Sequence, residues 1–270
     1  MSCLVRPGSV TIDYDVSGAR DGFPVVFNHS LVWDRDNWAA QAAALAATGR
    51  WRCINIDTRN HGRSSTSAEP VTLADFCGDV LAVMDAEGAA KAAHVGLSMG
   101  GMIGMRLALA HSERVAALAL FGTSADAEDP LRAPQYEAMA EMLGSYGPAG
   151  LVEPVMSIFF AERFRAEQPD AFAAYAEKFL AFSPNGAEAA LLAVTRRDSV
   201  LDRLAEVRAP TLVVVGEEDV ATPPAQSEAI ARAVPGARLV RVAGSGHMVP
   251  VERPAEATQL LADFLAEALA

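Results

Sequence analysis

A mostly parallel, doubly wound α/β sheet carrying a helical insertion is the fold this sequence predicts, and three observations carry it. Short apolar runs recur along the chain, helical stretches separate them, and one long segment is helical throughout. Strands covered by helices on both faces read as unbroken apolar runs, and strand–helix alternation is the pattern of a parallel sheet. The first element is the exception. In residues 9–16, Val10, Ile12, Tyr14 and Val16 alternate with Thr11, Asp13 and Asp15, which predicts a half-exposed antiparallel edge strand.

Buried strands are then expected at residues 25–27, 53–56, 93–95, 115–121, 212–215 and 239–242, each short and mostly apolar. Helices are expected at 38–47, 73–86, 99–110, 225–233 and 255–269 from their apolar spacing. Between the 115–121 and 212–215 strands the alternation stops. Helical stretches at 136–143, 151–160, 171–182 and 187–195 follow one another, punctuated by Gly147-Pro148, Pro169 and Pro184-Asn185-Gly186. The expected organisation is therefore a core formed by residues 1–123 and 206–270, with residues 124–205 as a helical lid over one end of the sheet.

The chain of 270 residues is 51% apolar, enough to bury a full-sized core and too much for a disordered segment. Its 22 basic residues against 34 acidic ones leave a net charge of −12, which argues against nucleic acid and anionic membrane surfaces as partners. Only Lys91 and Lys178 are lysines, so arginine is this chain's default cation and an arginine alone signals nothing. Cys3, Cys53 and Cys77 lack metal-ligand or CxxC spacing, so reduced thiols, no metal site and a cytoplasmic location are expected. The first eight residues hold no apolar leader core, and no apolar run is long enough for a membrane helix. A small-molecule partner fits best, and a homo-oligomer is left open.

Gly96-Leu97-Ser98-Met99-Gly100-Gly101 carries the sharpest chemical signal. A G-x-S-x-G run turns so tightly that the flanking positions must be nearly free of side chain, and it requires a strand before and a helix after. Both are expected here. A serine hydroxyl needs a base, and the base an orienting acid. His247, in Gly244-Ser245-Gly246-His247-Met248 after the last strand, is the candidate base. Asp219, after the 212–215 strand, is the candidate acid, with Glu217, Glu218 and Asp126 as alternatives. Ser98, Asp219 and His247 all follow strands, where open α/β sheets collect their reactive groups. The N–H groups of Met99 and Leu31 are the expected oxyanion donors. Trp33, Phe159 and Arg196 are candidate substrate contacts, Arg196 because it could meet a carboxylate.

With these residues in place the chain resembles the α/β-hydrolase superfamily over essentially its whole length. Asp57-Thr58-Arg59-Asn60-His61-Gly62-Arg63-Ser64 is similar to that family's D-x-R-G-H-G-x-S turn, and Gly216-Glu217-Glu218-Asp219 and Val251-Glu252-Arg253-Pro254 also match. The resemblance implies an α/β-hydrolase fold with the lid inserted after the sixth strand. Ser30 stands where glycine is usual in the loop after the 25–27 strand. A closer likeness is to 3-oxoadipate enol-lactonases, through His29-Ser30-Leu31 to Asp34 and Trp38, Asp57-Thr58-Arg59, Asp79-Val80-Leu81 and Ala221-Thr222-Pro223-Pro224. Asn60 departs from their glycine, and the lid shares little with them. What the residues and the resemblance together imply is a cofactor-free serine hydrolase of carboxylic esters or lactones working through an acyl-enzyme. A C–C bond hydrolase, a perhydrolase or haloperoxidase, and a non-catalytic small-molecule receptor are the alternatives on this fold.

Overall fold

A computed structural model describes residues 2–5, 10–66 and 69–270. Ser9, where the sequence begins its first strand, and residues 6–8 lie outside the described residues. Eight strands form one sheet in the order β1-β2-β4-β3-β5-β6-β7-β8. They are β1 (Ser2–Val5), β2 (Thr11–Gly18), β3 (Phe23–Asn28), β4 (Trp51–Ile56), β5 (Ala92–Leu97), β6 (Val115–Phe121), β7 (Thr211–Gly216) and β8 (Arg238–Val242). The register is parallel from β4 through β8, while β2 runs antiparallel to both β1 and β4.

One expectation is corrected at once. The alternating strand β2 is antiparallel as read, but it is not the edge: β1 pairs along its outer side, with Ser2 opposite Tyr14 and Val5 opposite Thr11. Ile12 and Tyr14 are buried in the core on one face, and on the other Asp13 is buried too, paired with Arg35, while Val16 is exposed.

The helices are α1 (Ala39–Ala47), α2 (Leu73–Ala86), α3 (Met99–Ala110), α4 (Ala133–Tyr146), α5 (Val152–Phe159), α6 (Glu162–Glu167), α7 (Pro169–Leu180), α8 (Pro184–Thr195), α9 (Pro224–Ala233), α10 (Val249–Glu252) and α11 (Pro254–Ala268). Several begin at a proline just before the apolar run from which the sequence predicts them, since proline lacks only an N–H that the first turn leaves unpaired anyway. Thr72 and Asp75 cap α2 reciprocally: the Asp75 N–H donates to Thr72 Oγ1 and the Thr72 N–H to the Asp75 carboxylate. Helices α4 to α8 follow β6 without an intervening strand, so the insertion sits after the sixth strand.

The core is continuous from sheet to helices. Val25, Val26, Ile54, Val95, Leu118, Val213 and Val214 are fully buried in the sheet. Between the loop after β3 and the insertion lies an aromatic cluster. The ring of Trp33 stands 5.7 Å from Phe159, 5.9 Å from Phe160 and 5.3 Å from Tyr175, near edge-on to each. Lys178 of α7 also reaches Asp34 and Asp36, at 2.6 Å each. Among the described residues no helix is long and apolar enough to cross a membrane.

Candidate active site

Three loops and one helix start converge at the carboxyl ends of the parallel strands. Ser98 closes the turn between β5 and α3 with φ 53° and ψ −111°, a left-handed backbone that a non-glycine residue adopts only when its surroundings impose it. Its N–H donates to the Phe121 carbonyl at 2.9 Å and its carbonyl accepts from Thr123 Oγ1 at 2.7 Å. Close packing explains the flanking glycines. A Cβ on Gly96 would lie 2.2 Å from the Gly100 carbonyl oxygen, and one on Gly100 would lie 2.2 Å from that of Asn28.

Asp219 and His247 meet across the ends of β7 and β8. His247 Nδ1 lies 2.9 Å from Asp219 Oδ2 and 3.1 Å from Oδ1, and both side chains are buried. Asp219 is held in turn by Thr222, whose N–H donates to Oδ1 at 2.9 Å and whose hydroxyl donates to Oδ2 at 3.0 Å. The alternative acids are elsewhere. Glu217 and Glu218 are exposed, and the Asp126 carboxylate accepts from Ser199 Oγ at 3.3 Å.

The His247 loop is anchored from two sides. The His247 N–H donates to the Phe159 carbonyl at 3.1 Å, and the Phe159 ring stands edge-on to the imidazole at 5.1 Å. Glu252 accepts the N–H groups of Gly246, Met248 and Ala161, binding the loop to the α5–α6 junction. Burial pushes the Glu252 carboxyl above its usual range, and those three N–H bonds oppose the shift.

Ser98 and His247 border a narrow cavity of about 80 Å³ beneath the insertion, with Leu31, Val32, Met102 and Phe159 on its wall. His247 Nε2 has no hydrogen-bond partner among the described residues. Leu31 follows the buried turn in which the Ser30 N–H donates to Asn37 Oδ1 at 3.1 Å. The left-handed residue of this loop is Val32, at φ 60°, and not Ser30. Serine at position 30 therefore meets no backbone constraint that would demand glycine. Met99 opens α3, whose N-terminal dipole points toward the same space.

The three candidate substrate contacts separate. Phe159 lines the cavity. Trp33 does not: it is buried in the aromatic cluster and borders a different, polar cleft with Asp34 and Asp57. Arg196 points outward, pairs with Glu137 at 2.8 Å and lines an outer groove of about 880 Å³ that contains neither Ser98 nor His247. Its neighbour Arg197, beyond the end of α8, is buried and borders both that groove and the cavity. Sequence reasoning also passed over Thr222 as a hydrogen-bonding group. The available signal was a hydroxyl three residues after the acid, the spacing of a local turn closed by the carboxylate.

The turn carrying Arg59 and Asp57 is held by bonds to its neighbours. Arg59 forms a two-point ion pair with Asp79, at 2.5 and 2.7 Å, and Asp57 accepts the N–H groups of Arg35 and Arg63. Asn60 stands at φ 67°, which accounts for its replacing glycine: asparagine tolerates the left-handed region better than most side chains.

With this geometry in hand, known proteins can be compared. The sequence profile of the family described as alpha/beta hydrolase fold matches residues 24–254. A protein of Azorhizobium caulinodans provisionally named carbamate hydrolase RutD is 29% identical, over 96% of this chain and 97% of that one. The 3-oxoadipate enol-lactonase 1 of Acinetobacter baylyi is 27% identical, over 94% of this chain and 93% of that one. Among solved structures, a thermophilic esterase from Thermogutta terrifontis superposes with a TM-score of 0.93 at 28% identity, covering 99% of each chain.

Proposed function

Because the chain belongs to the alpha/beta hydrolase fold family, we propose that it is a serine hydrolase of carboxylic esters or lactones. Ser98 is the nucleophile, His247 the base, and Asp219 the acid that orients the base. One observation carries this reading. His247 is held at Nδ1 by Asp219, while its Nε2 has no partner among the described residues and its ring borders the cavity that Ser98 enters.

In this reading Ser98 Oγ attacks the substrate carbonyl as His247 Nε2 takes its proton, and Asp219 stabilises the resulting imidazolium. The N–H groups of Leu31 and Met99 donate to the developing oxyanion, each worth ~3 kcal/mol. His247 then returns the proton to the departing alcohol, leaving Ser98 acylated. A water deprotonated by the same histidine attacks the acyl carbonyl, and Ser98 leaves with the proton restored. No cofactor takes part.

The names of the enol-lactonase, the esterase and the carbamate hydrolase all describe hydrolases, which supports the reaction class. A small-molecule substrate fits the narrow cavity, and the charge of −12 argues against nucleic acid. Cytoplasmic residence fits the free, buried Cys53 and Cys77.

The test is Ser98→Ala assayed on p-nitrophenyl butyrate, beside labelling by a fluorophosphonate. The wild type should turn over the ester and take the label, and the variant should do neither. Retention of more than ~1% of turnover by the folded variant would remove Ser98 from the role.

A further inference from the structure

Most of the cavity wall is apolar, and its polar groups other than Ser98, Thr222, Gln226 and His247 gather beside the end of α8. There the sole charged groups among the described lining residues, His247 aside, are Arg197 and Glu128, and they pair with each other at 3.1 Å. Both are withdrawn from solvent, with side-chain exposures of 3% and 14%. Arg197 also donates from Nε to the Asp126 carbonyl at 2.8 Å and from Nη1 to the Val194 carbonyl at 2.7 Å. Its Nη2 makes no hydrogen bond among the described residues, and Arg197 borders both this cavity and the outer groove. Beside it, Thr195 Oγ1 is buried without a partner, and so is Gln226 Oε1; both residues line the same cavity.

Unsatisfied buried polar atoms in a reactive cavity mark where a ligand's polar atoms can sit. Charge decides which kind. Glu128 already neutralises Arg197, and nearby Arg106 pairs with Asp198 at 2.9 Å; Arg132 is held by the neutral Tyr136 hydroxyl and does not line the cavity. A carboxylate entering here would be desolvated among Met102, Leu143, Leu191 and Val194, and would share one cation with Glu128. A neutral oxygen acceptor can take a hydrogen bond from the unpartnered Thr195 hydroxyl without that cost.

Resting on the hydrolase reading above, we propose that the α8 side of the cavity is a specificity subsite for an acyl group ending in an uncharged oxygen function, such as a ketone or ether. The Arg197–Glu128 pair excludes acyl groups ending in a carboxylate. Glu128 is the residue that sets the difference, because it cancels the cation a carboxylate would need.

Three p-nitrophenyl esters of equal acyl length test this: the pentanoate, the 4-oxopentanoate and the glutarate half-ester, with rates in the absence of enzyme subtracted. In kcat/KM the wild type should favour the oxopentanoate over the pentanoate by about 10-fold, and the pentanoate over the glutarate by about 100-fold. Glu128→Gln should raise the glutarate rate about 10-fold or more relative to the pentanoate. Thr195→Val should narrow the oxopentanoate-to-pentanoate ratio. A wild type that takes the glutarate as well as the pentanoate, or a folded Glu128→Gln with an unchanged ratio, overturns the subsite. Should Glu128→Gln fail to fold, Arg197→Gln must widen the discrimination against glutarate, and an unchanged ratio overturns it equally. A wild type inactive on all three esters overturns the hydrolase reading itself.

Discussion

Gly100 rests directly on Asn28: a Cβ at position 100 would stand 2.2 Å from the Asn28 carbonyl oxygen and 2.7 Å from its carbon. The start of α3 is thereby seated on the last residue of β3, which leads into the loop holding Leu31, so the two segments proposed to supply the oxyanion donors are held together. Gly100→Ala gains at most about 1 kcal/mol of helix propensity and meets backbone that cannot move aside like a flexible side chain. The variant should lose about 3 kcal/mol in urea unfolding and most ester turnover. Unchanged stability would mean that the contact is looser than its geometry.

Asn60 isolates a backbone effect. Alanine and glycine at this position both remove the amide, but only glycine is at ease at φ 67°. Asn60→Ala should therefore be about 1–2 kcal/mol less stable than Asn60→Gly, despite its smaller loss of chain entropy on folding. Thermal unfolding of the two variants side by side decides it, and equal midpoints would count against strain at this turn.

Thr222 touches both members of the Asp219–His247 pair, at 3.0 Å to Asp219 Oδ2 and 3.3 Å to His247 Nδ1. Thr222→Val keeps the backbone N–H bond to Asp219 and removes only the hydroxyl. The expected result is a roughly 10-fold fall in kcat with KM little changed, at a stability cost of about 1 kcal/mol. A loss confined to KM would place Thr222 on the substrate instead.

Three buried histidines outside the candidate triad set an acid limit on stability. Burial holds His61 down to about 3 and His94 down to about 4, and lowers His29 as well. The folded values lie below the ordinary 6.5, so the unfolded chain binds protons that the folded chain refuses. Their stabilising contribution is complete above about pH 6.5 and is lost as pH falls toward 4 and 3. His61 and His94 should each cost on the order of 2 kcal/mol between pH 7.5 and pH 5. His94→Gln should flatten that loss by about one histidine's share in urea titrations at the two pH values, and an identical slope would refute the assignment.

Much of the candidate site was legible because tight geometry restricts residue choice. The glycines around Ser98 stand out in the sequence because backbone carbonyls occupy the space a side chain would need. Asp219 and His247 were legible from their places after strands. Arg196 lines only the outer groove while Arg197 also reaches the cavity: nothing local says which of two successive residues past a helix end reaches a cavity. Trp33 misled for a similar reason, since an aromatic residue near a reactive loop serves equally well as a wall of the site or as its support. Here it packs against Phe159, Phe160 and Tyr175. The strand β1 was missed because four residues carry too little periodicity to register.

Composition and spacing alone determined the strand–helix alternation, the long helical insertion and the residue types able to perform acyl transfer, because burial and tight turns write themselves into local sequence. Tertiary structure alone decided that Glu128 meets Arg197, that Thr222 braces Asp219, and that the Phe159 carbonyl holds the His247 loop. Those partners lie far apart in the chain or depend on which way a helix is turned. Their pairing is selected by packing and by the cost of leaving buried polar groups unmatched, and only the folded chain resolves it.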